Sequence, residues 1–248
     1  MIARAWITGA SSGIGRALAL RLAQGGTDVA ASARHADALE RLAEEDRRIH
    51  PFPVDVADAE AMMRTVAAIE DGIGALDLAV FNAGTHHPVE IERFSPDPFR
   101  RLMEINFMGA VNGIAAVLPR FVARREGRIA VVSSVAGYRG LPQASAYGAS
   151  KAALINLCEA LKPDLDRHGV GISVINPGFV RTPLTDRNPF PMPFLMEPAD
   201  AARRIARGLE RGNFEIAFPR RFVLMLKLAR MLPYGLYFRL VKRATGRG

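Results

Sequence analysis

The chain has 248 residues, 49% of them hydrophobic, 23% charged and 7% aromatic. That balance excludes disorder, fibrous repeats and low complexity, and the length suffices to bury a large core. The net charge of +8 is local, because eight of the 33 basic residues and none of the 25 acidic ones lie between Arg220 and Gly248. A neutral body with one basic end is a poor footprint for nucleic acid. The one cysteine, Cys158, can form neither an intramolecular disulfide nor a cysteine zinc site, which fits a reducing cytoplasm. A glycine-rich loop begins within nine residues of the N-terminus, where a secretory signal is not expected to fit.

In chain order, short apolar runs at 5–8, 28–33, 48–54, 76–84, 127–134, 170–178 and 214–219 are predicted strands. Most are continuously apolar, as strands buried on both faces of a parallel sheet are. Between them, 14–25, 37–47, 58–71, 97–124, 145–167 and 198–211 are predicted helices. The alternation implies right-handed crossovers and a single doubly wound α/β domain, spanning 1–219. Lys162-Pro163 is expected to kink or interrupt the helix 145–167, since a mid-helix proline costs about 3 kcal/mol. Residues 182–198 hold five prolines among Phe, Met and Leu, too broken for a regular element, and are expected to form a lid.

The basic tail, 220–248, is expected to pack on the same domain. Residues 220–232 are apolar on most faces. Over 234–243, Arg239, Lys242 and Arg243 share one side, opposite Leu236, Tyr237, Leu240 and Val241. The apolar side is expected to rest on the body, roof the pocket or bury against a second subunit. The alternative is peripheral contact with an anionic membrane. No run in the tail reaches the roughly 20 apolar residues that span a bilayer.

The first predicted strand runs into Thr8-Gly9-Ala10-Ser11-Ser12-Gly13-Ile14-Gly15. Gly9 and Gly13 permit a tight turn, small side chains let a diphosphate reach backbone N–H groups, and Gly15 lets the helix pack closely on the strand. At the first strand-to-helix turn of such a pattern this points to a dinucleotide. The second strand is followed by Arg34, with no carboxylate to repel a 2′-phosphate, so NADP(H) is favoured over NAD(H). Tyr147 and Lys151, four residues apart in a helix, share one face, and an adjacent ammonium is expected to lower the tyrosine pKa. Ser134 ends an apolar strand at the sheet edge where doubly wound folds place ligands.

TGASSGIG, Asn82-Ala83-Gly84, Asn106, Ser134, Tyr147, Lys151 and Pro177-Gly178 together resemble the short-chain dehydrogenase/reductase family across about residues 3–217. The resemblance implies a Rossmann-type sheet of seven parallel strands with helices on both faces. It implies Tyr147 as acid/base, Ser134 polarising the same substrate oxygen, and Lys151 binding the nicotinamide ribose and lowering the tyrosine pKa. Asn106 would hold a water that relays protons to Lys151. Asp55 and Val56 would contact the adenine, and Asn82, Ala83 and Gly84 the ribose. Pro177, Gly178 and Thr182 would fix the carboxamide; no metal is implied. A homodimer through 97–124 and 145–167 is likewise implied. His86 and His87 read as polar surface that could touch substrate. The lid residues Phe179, Leu184, Phe190, Met192, Phe194, Leu195 and Met196 suggest a bulky hydrophobic ketone or secondary alcohol. The rivals are a 3-oxoacyl-thioester reductase, whose carrier could dock on the basic tail, and a non-catalytic NADP-binding redox sensor.

Overall fold

In a computed structural model, which describes residues 2–186 and 192–245, seven strands form one parallel sheet. In chain order, β1 (Arg4–Thr8) leads to α1 (Gly13–Ala23), β2 (Asp28–Ser32) to α2 (Ala36–Ala43), and β3 (Ile49–Pro51) to α3 (Ala59–Ile73). Then β4 (Leu78–Phe81) is followed by α4 (Asp97–Leu102), a π-helical stretch Met103–Met108, and α5 (Gly109–Arg124). Next come β5 (Arg128–Val132), α6 (Ser145–Arg167), β6 (Gly171–Pro177), α7 (Pro198–Glu210) and β7 (Glu215–Phe218). The tail forms α8 (Arg220–Met231) and α9 (Tyr234–Thr245).

The strand order is β3-β2-β1-β4-β5-β6-β7. It reverses between β1 and β4, and the crevice outside the carboxyl ends of these two strands is where such sheets take ligands. The strands are continuously apolar because both faces are covered. Trp6 joins a core with Met62, Val66, Val117, Phe121 and Cys158 from α3, α5 and α6. Its neighbours Ala5 and Ile7 join the opposite core with Leu18, Leu39 and Ile205 from α1, α2 and α7. The period-two alternation of a strand sends successive side chains into different cores, and both are dry.

Two expectations about helices change. Helix α6 runs through Pro163 without interruption, as α5 runs through Pro119. Pro163 and Glu159, whose carbonyl loses its helical donor, both lie on the exposed side, where the freed carbonyl is open to solvent. The predicted helix 97–124 is instead divided by the π-helical stretch, and Asn106 lies buried within it. Widened turns of this kind frequently occur at functional sites.

The tail helices meet the body unevenly. Among their described residues only Val223 and Tyr237 are buried, while Leu224, Met225, Leu228 and Met231 are each more than half exposed. Within the lid, Phe190 lies outside the described residues. Its far end returns to the body where Val180 and Met196 form a β-bridge, reinforced by an Arg181–Glu197 ion pair at 2.9 Å.

Candidate active site

A cavity of about 600 Å³ follows the carboxyl edge of the sheet. One end is walled by Arg34, Asp55 and Val56. Its middle is bounded by Gly9, Ser11, Ser12, Gly13 and Ile14, facing Asn82, Ala83 and Gly84. The other end is walled by Ser134, Tyr147, Lys151, Pro177, Gly178 and Thr182. Of the catalytic and cofactor-binding residues expected from the sequence, Thr8, Gly15 and Asn106 stand behind this lining rather than in it; of the described lid residues named there, Leu184 alone is in it.

Those three shape the wall from behind. The Thr8 hydroxyl accepts the backbone N–H groups of Asn82 (3.1 Å) and Ala83 (3.2 Å). The Asn82 amide donates back to the carbonyls of Thr8 and Gly9, each at 3.1 Å, tying the ends of β1 and β4 together. Gly9 has a φ of +67°, which a side chain would strain. A Cβ on Gly15 would lie 2.3 Å from the Gly9 carbonyl oxygen, so only glycine lets α1 start this close to the strand. Ser12 caps α1 without a side-chain hydrogen bond, leaving the first-turn N–H groups and their positive dipole end for an anion. Across the cavity, a Cβ on Gly13 would come within 2.8 Å of the Thr182 methyl group. The glycine loop and the base of the lid therefore nearly meet.

Asn106 is held by three bonds. Its Oδ1 accepts the Thr85 N–H at 2.7 Å, and its Nδ2 donates to the Thr85 carbonyl and the Ser150 hydroxyl, both at 3.0 Å. Both amide hydrogens are used, which leaves its side chain one Oδ1 lone pair for anything else. Gly84 lies between Asn106 and Lys151, since a Cβ there would be 3.3 Å from Asn106 Oδ1 and 3.5 Å from Lys151 Nζ.

The far end is the dry one. Lys151 is buried, and its Nζ donates to the Val132 carbonyl at 2.8 Å while lying 5.7 Å from the centroid of the Tyr147 ring. Burial brings its pKa down to about 8. The expected depression of the Tyr147 pKa is not found. Burial of the phenol raises it, and the Ser134 hydroxyl beside it pulls the other way. The lysine acts elsewhere because its ammonium reaches the backbone of β5 rather than the phenol oxygen. Ser134 is itself oriented by the Ala136 N–H at 3.1 Å. The short turn that follows can press against α6 because Gly137 has no Cβ; one would lie 2.8 Å from the Lys151 backbone.

His86 is more than polar surface. It is half-buried, packs edge-on against Tyr147 with 4.8 Å between ring centroids, and has no hydrogen-bond partner for its buried Nδ1. Burial lowers its pKa, with His87 adding to the effect, so the ring is neutral at neutral pH. His35, Arg101, Glu104 and Ile105 also line the cavity and were not expected there. The last two belong to the π-helical stretch, whose widened turn a regular helical period does not anticipate.

The short chain dehydrogenase family model matches residues 3–189. The chain belongs to the short-chain dehydrogenase/reductase family. An uncharacterized oxidoreductase of Myxococcus xanthus is 40% identical over 237 residues, covering 94% of both chains. A short-chain dehydrogenase/reductase of Burkholderia phymatum, solved with NAD, superposes with a TM-score of 0.84 at 25% identity over 92% of each chain. The short-chain dehydrogenase of Sphingobium yanoikuyae, solved with NADPH, superposes with a TM-score of 0.80 at 26% identity over 88% of each chain. The seven-stranded parallel sheet with helices on both faces, expected from the sequence, is this family's fold.

Proposed function

We propose that this protein is an NADP(H)-dependent oxidoreductase that interconverts a ketone and a secondary alcohol on a bulky hydrophobic substrate. The observation that carries the reading is convergence: one cavity joins a helix N-terminus shaped for a diphosphate to a Ser134, Tyr147 and Lys151 cluster. Its volume of about 600 Å³ lies in the range typical of small-molecule and cofactor sites. Bound there, a nicotinamide cofactor supplies or accepts a hydride, and no metal is required.

The chain's own residues would do the rest. Ser11, Ser12, Gly13 and Ile14 would receive the diphosphate on backbone N–H groups, with Gly9 and Gly15 keeping the approach open. Asp55 and Val56 would take the adenine, Asn82, Ala83 and Gly84 the ribose, and Pro177, Gly178 and Thr182 the carboxamide. Arg34 is exposed, lines the cavity and has no ion pair among the described residues, which suits a ribose 2′-phosphate. The solved relatives include one with NAD and one with NADPH, so the preference rests on Arg34.

At the dry end, the raised pKa of Tyr147 keeps the phenol protonated at neutral pH, as an acid for ketone reduction must be. The Ser134 hydroxyl would donate to the same carbonyl oxygen and polarise it. Lys151, titrating near 8, would bind the ribose hydroxyls and pass a proton toward Tyr147 through them, since its ammonium does not reach the phenol oxygen. Asn106 would orient this corner through Thr85 and Ser150, with its free Oδ1 lone pair available to a relaying water. Phe179, Phe194 and Phe222 would wall the substrate side; Phe179 and Phe222 stack at 5.7 Å, and Phe194 and Phe222 lie 6.0 Å apart.

The test is cofactor oxidation across a size series of ketones with NADPH and NADH in parallel. Turnover of large apolar ketones with NADPH, lost in Tyr147→Phe, is the expected result. A preference for small polar ketones overturns the substrate class. Binding of NADPH without turnover of any ketone makes the protein a sensor instead.

A further inference from the structure

The tail helices bury Val223 and Tyr237 yet leave a second apolar set in water. Eight of the thirteen large hydrophobic side chains exposed among the described residues belong to the 24 residues of α8 and α9. Leu224, Leu228 and Met231, at helical positions i, i+4 and i+7, form one exposed stripe on α8. On α9, Tyr234 and Phe238 are exposed and stacked at 5.9 Å.

Much of what holds the pair to the body is polar. Arg139 donates to the carbonyls of Ala229 (2.8 Å), Arg230 (2.9 Å) and Leu232 (2.8 Å) as α8 ends. Its guanidinium lies 3.9 Å from the Tyr237 ring centroid, and the Tyr237 hydroxyl donates to the Gly140 carbonyl at 2.6 Å. Lys227 pairs with Glu215, which also accepts the Tyr138 hydroxyl at 2.6 Å. Burial alone would raise the Glu215 pKa; the bonds from Lys227, Tyr138 and Asn176 hold it below the usual carboxylate value. Tyr138, Arg139 and Gly140 follow directly on the turn after Ser134, and Phe222 of α8 packs on Phe179 and Phe194. The helix pair is thus fixed beside the candidate substrate opening, with Phe222, Val223, Leu226 and Tyr237 against the body and a second set of apolar side chains turned away from it.

Charge selects what covers that side. Arg220, Arg221, Arg230, Arg239, Lys242 and Arg243 are exposed and have no ion pair among the described residues. The whole stretch 220–248 contains no acidic residue. A second copy meeting this face about a two-fold axis would set these cations against their own counterparts. Anionic lipid headgroups neutralise them while the leucine, methionine and aromatic side chains enter the acyl boundary. Each helix has 12 residues and is about 18 Å long, short of the ~30 Å hydrocarbon layer, so the pair lies in the interface without spanning it.

We propose that α8 and α9 form a docking face for an anionic membrane surface and seat the candidate substrate opening beside the lipid. That a lipid-like ketone reaches the site from the membrane rests on the function proposed above; docking itself does not, and is read without substrate.

The experiment is co-sedimentation of the full chain with phosphatidylglycerol/phosphatidylcholine vesicles and with pure phosphatidylcholine vesicles. It is run at low salt and again at about 0.5 M NaCl, where screening falls below about 5 Å. Wild type should pellet with the anionic vesicles at low salt and be released by high salt. Leu228→Glu combined with Met231→Glu should weaken binding about a hundredfold, from two apolar side chains lost to the interface. Arg220→Ser with Arg221→Ser should weaken it about 25-fold, near fivefold per cation. Met63→Glu, an exposed apolar position on α3, should change nothing. All variants should keep the melting temperature and cofactor binding of wild type. The proposal is overturned if no anionic vesicle pellets the protein, or if both vesicle types bind equally at both salts. Leu228→Glu/Met231→Glu pelleting like wild type overturns it too. A wild-type dimer in sedimentation analysis that this same variant dissociates, without vesicle binding, assigns the face to a second copy instead.

Discussion

The two ends of the cavity are built on opposite physical terms. At one end Arg34 stands in water with no ion pair, free to meet whatever charge a ribose carries. At the other, Lys151 is buried against a backbone carbonyl and Tyr147 is packed beneath His86, so each titrates away from its ordinary value. A charge in water can choose among ligands at little cost to the fold. A charge in a dry wall is worth more to the chemistry and costs stability. On the function proposed above, recognition would belong to the wet end and proton transfer to the dry one.

The largest expected effect lies at the dry end. Tyr147→Phe should lower turnover by about 10²–10⁴ while leaving NADPH binding, read by fluorescence, nearly intact. If binding falls as far as turnover, the residue is structural and the contrast fails. Gly15→Ala tests the ground between the two ends. Its Cβ would strike the Gly9 carbonyl, so cofactor affinity should drop about 5- to 150-fold, the equivalent of ~1–3 kcal/mol of overpacking.

At the wet end, Arg34→Ala should raise the KM for NADPH about 10- to 100-fold and leave that for NADH almost unchanged, since a charge-assisted contact is worth ~1.5–3 kcal/mol. Equal losses for both cofactors would remove the assignment of a 2′-phosphate.

Lys151 sharpens the comparison through pH. Its folded pKa of about 8 lies below its unfolded value of ~10.4. The unfolded chain then binds more protons between those values, so this group makes stability rise with pH across that window. At neutral pH its burial costs ~3 kcal/mol. Lys151→Met should accordingly be inactive yet unfold at higher temperature than wild type at pH 7, with the gap closing as pH approaches 10. Reduction by the wild type should fall as pH rises through about 8, where Lys151 loses its proton. The smallest effect is expected from His86→Ala, a several-fold loss in kcat/KM for large ketones, because the ring walls Tyr147 without donating to it.

Much of this was legible along the chain. TGASSGIG at a strand-to-helix turn, and Tyr147 four residues before Lys151, carry their geometry in local spacing. A turn needs its glycines and a helix face its period wherever they occur. The interruption expected at Pro163 did not occur, because whether a proline breaks a helix depends on whether the freed carbonyl finds water. That is a property of exposure and not of spacing. The sequence marked His86 only as polar surface that could touch substrate, since its place beside Tyr147 comes from edge-on packing against a ring 61 positions away.

The sequence alone determined the alternation of strands and helices, the glycine turn before α1 and the helical face shared by Tyr147 and Lys151, because each is a local consequence of period, propensity and steric freedom. Only the tertiary structure decided that Lys151 bonds to β5 and that Tyr147 rises in pKa. It alone decided that a basic tail would be fastened at Arg139 with its apolar stripe outward. Burial, and what a buried charge finds within reach, are set by chain segments far apart in sequence, and no local pattern encodes them.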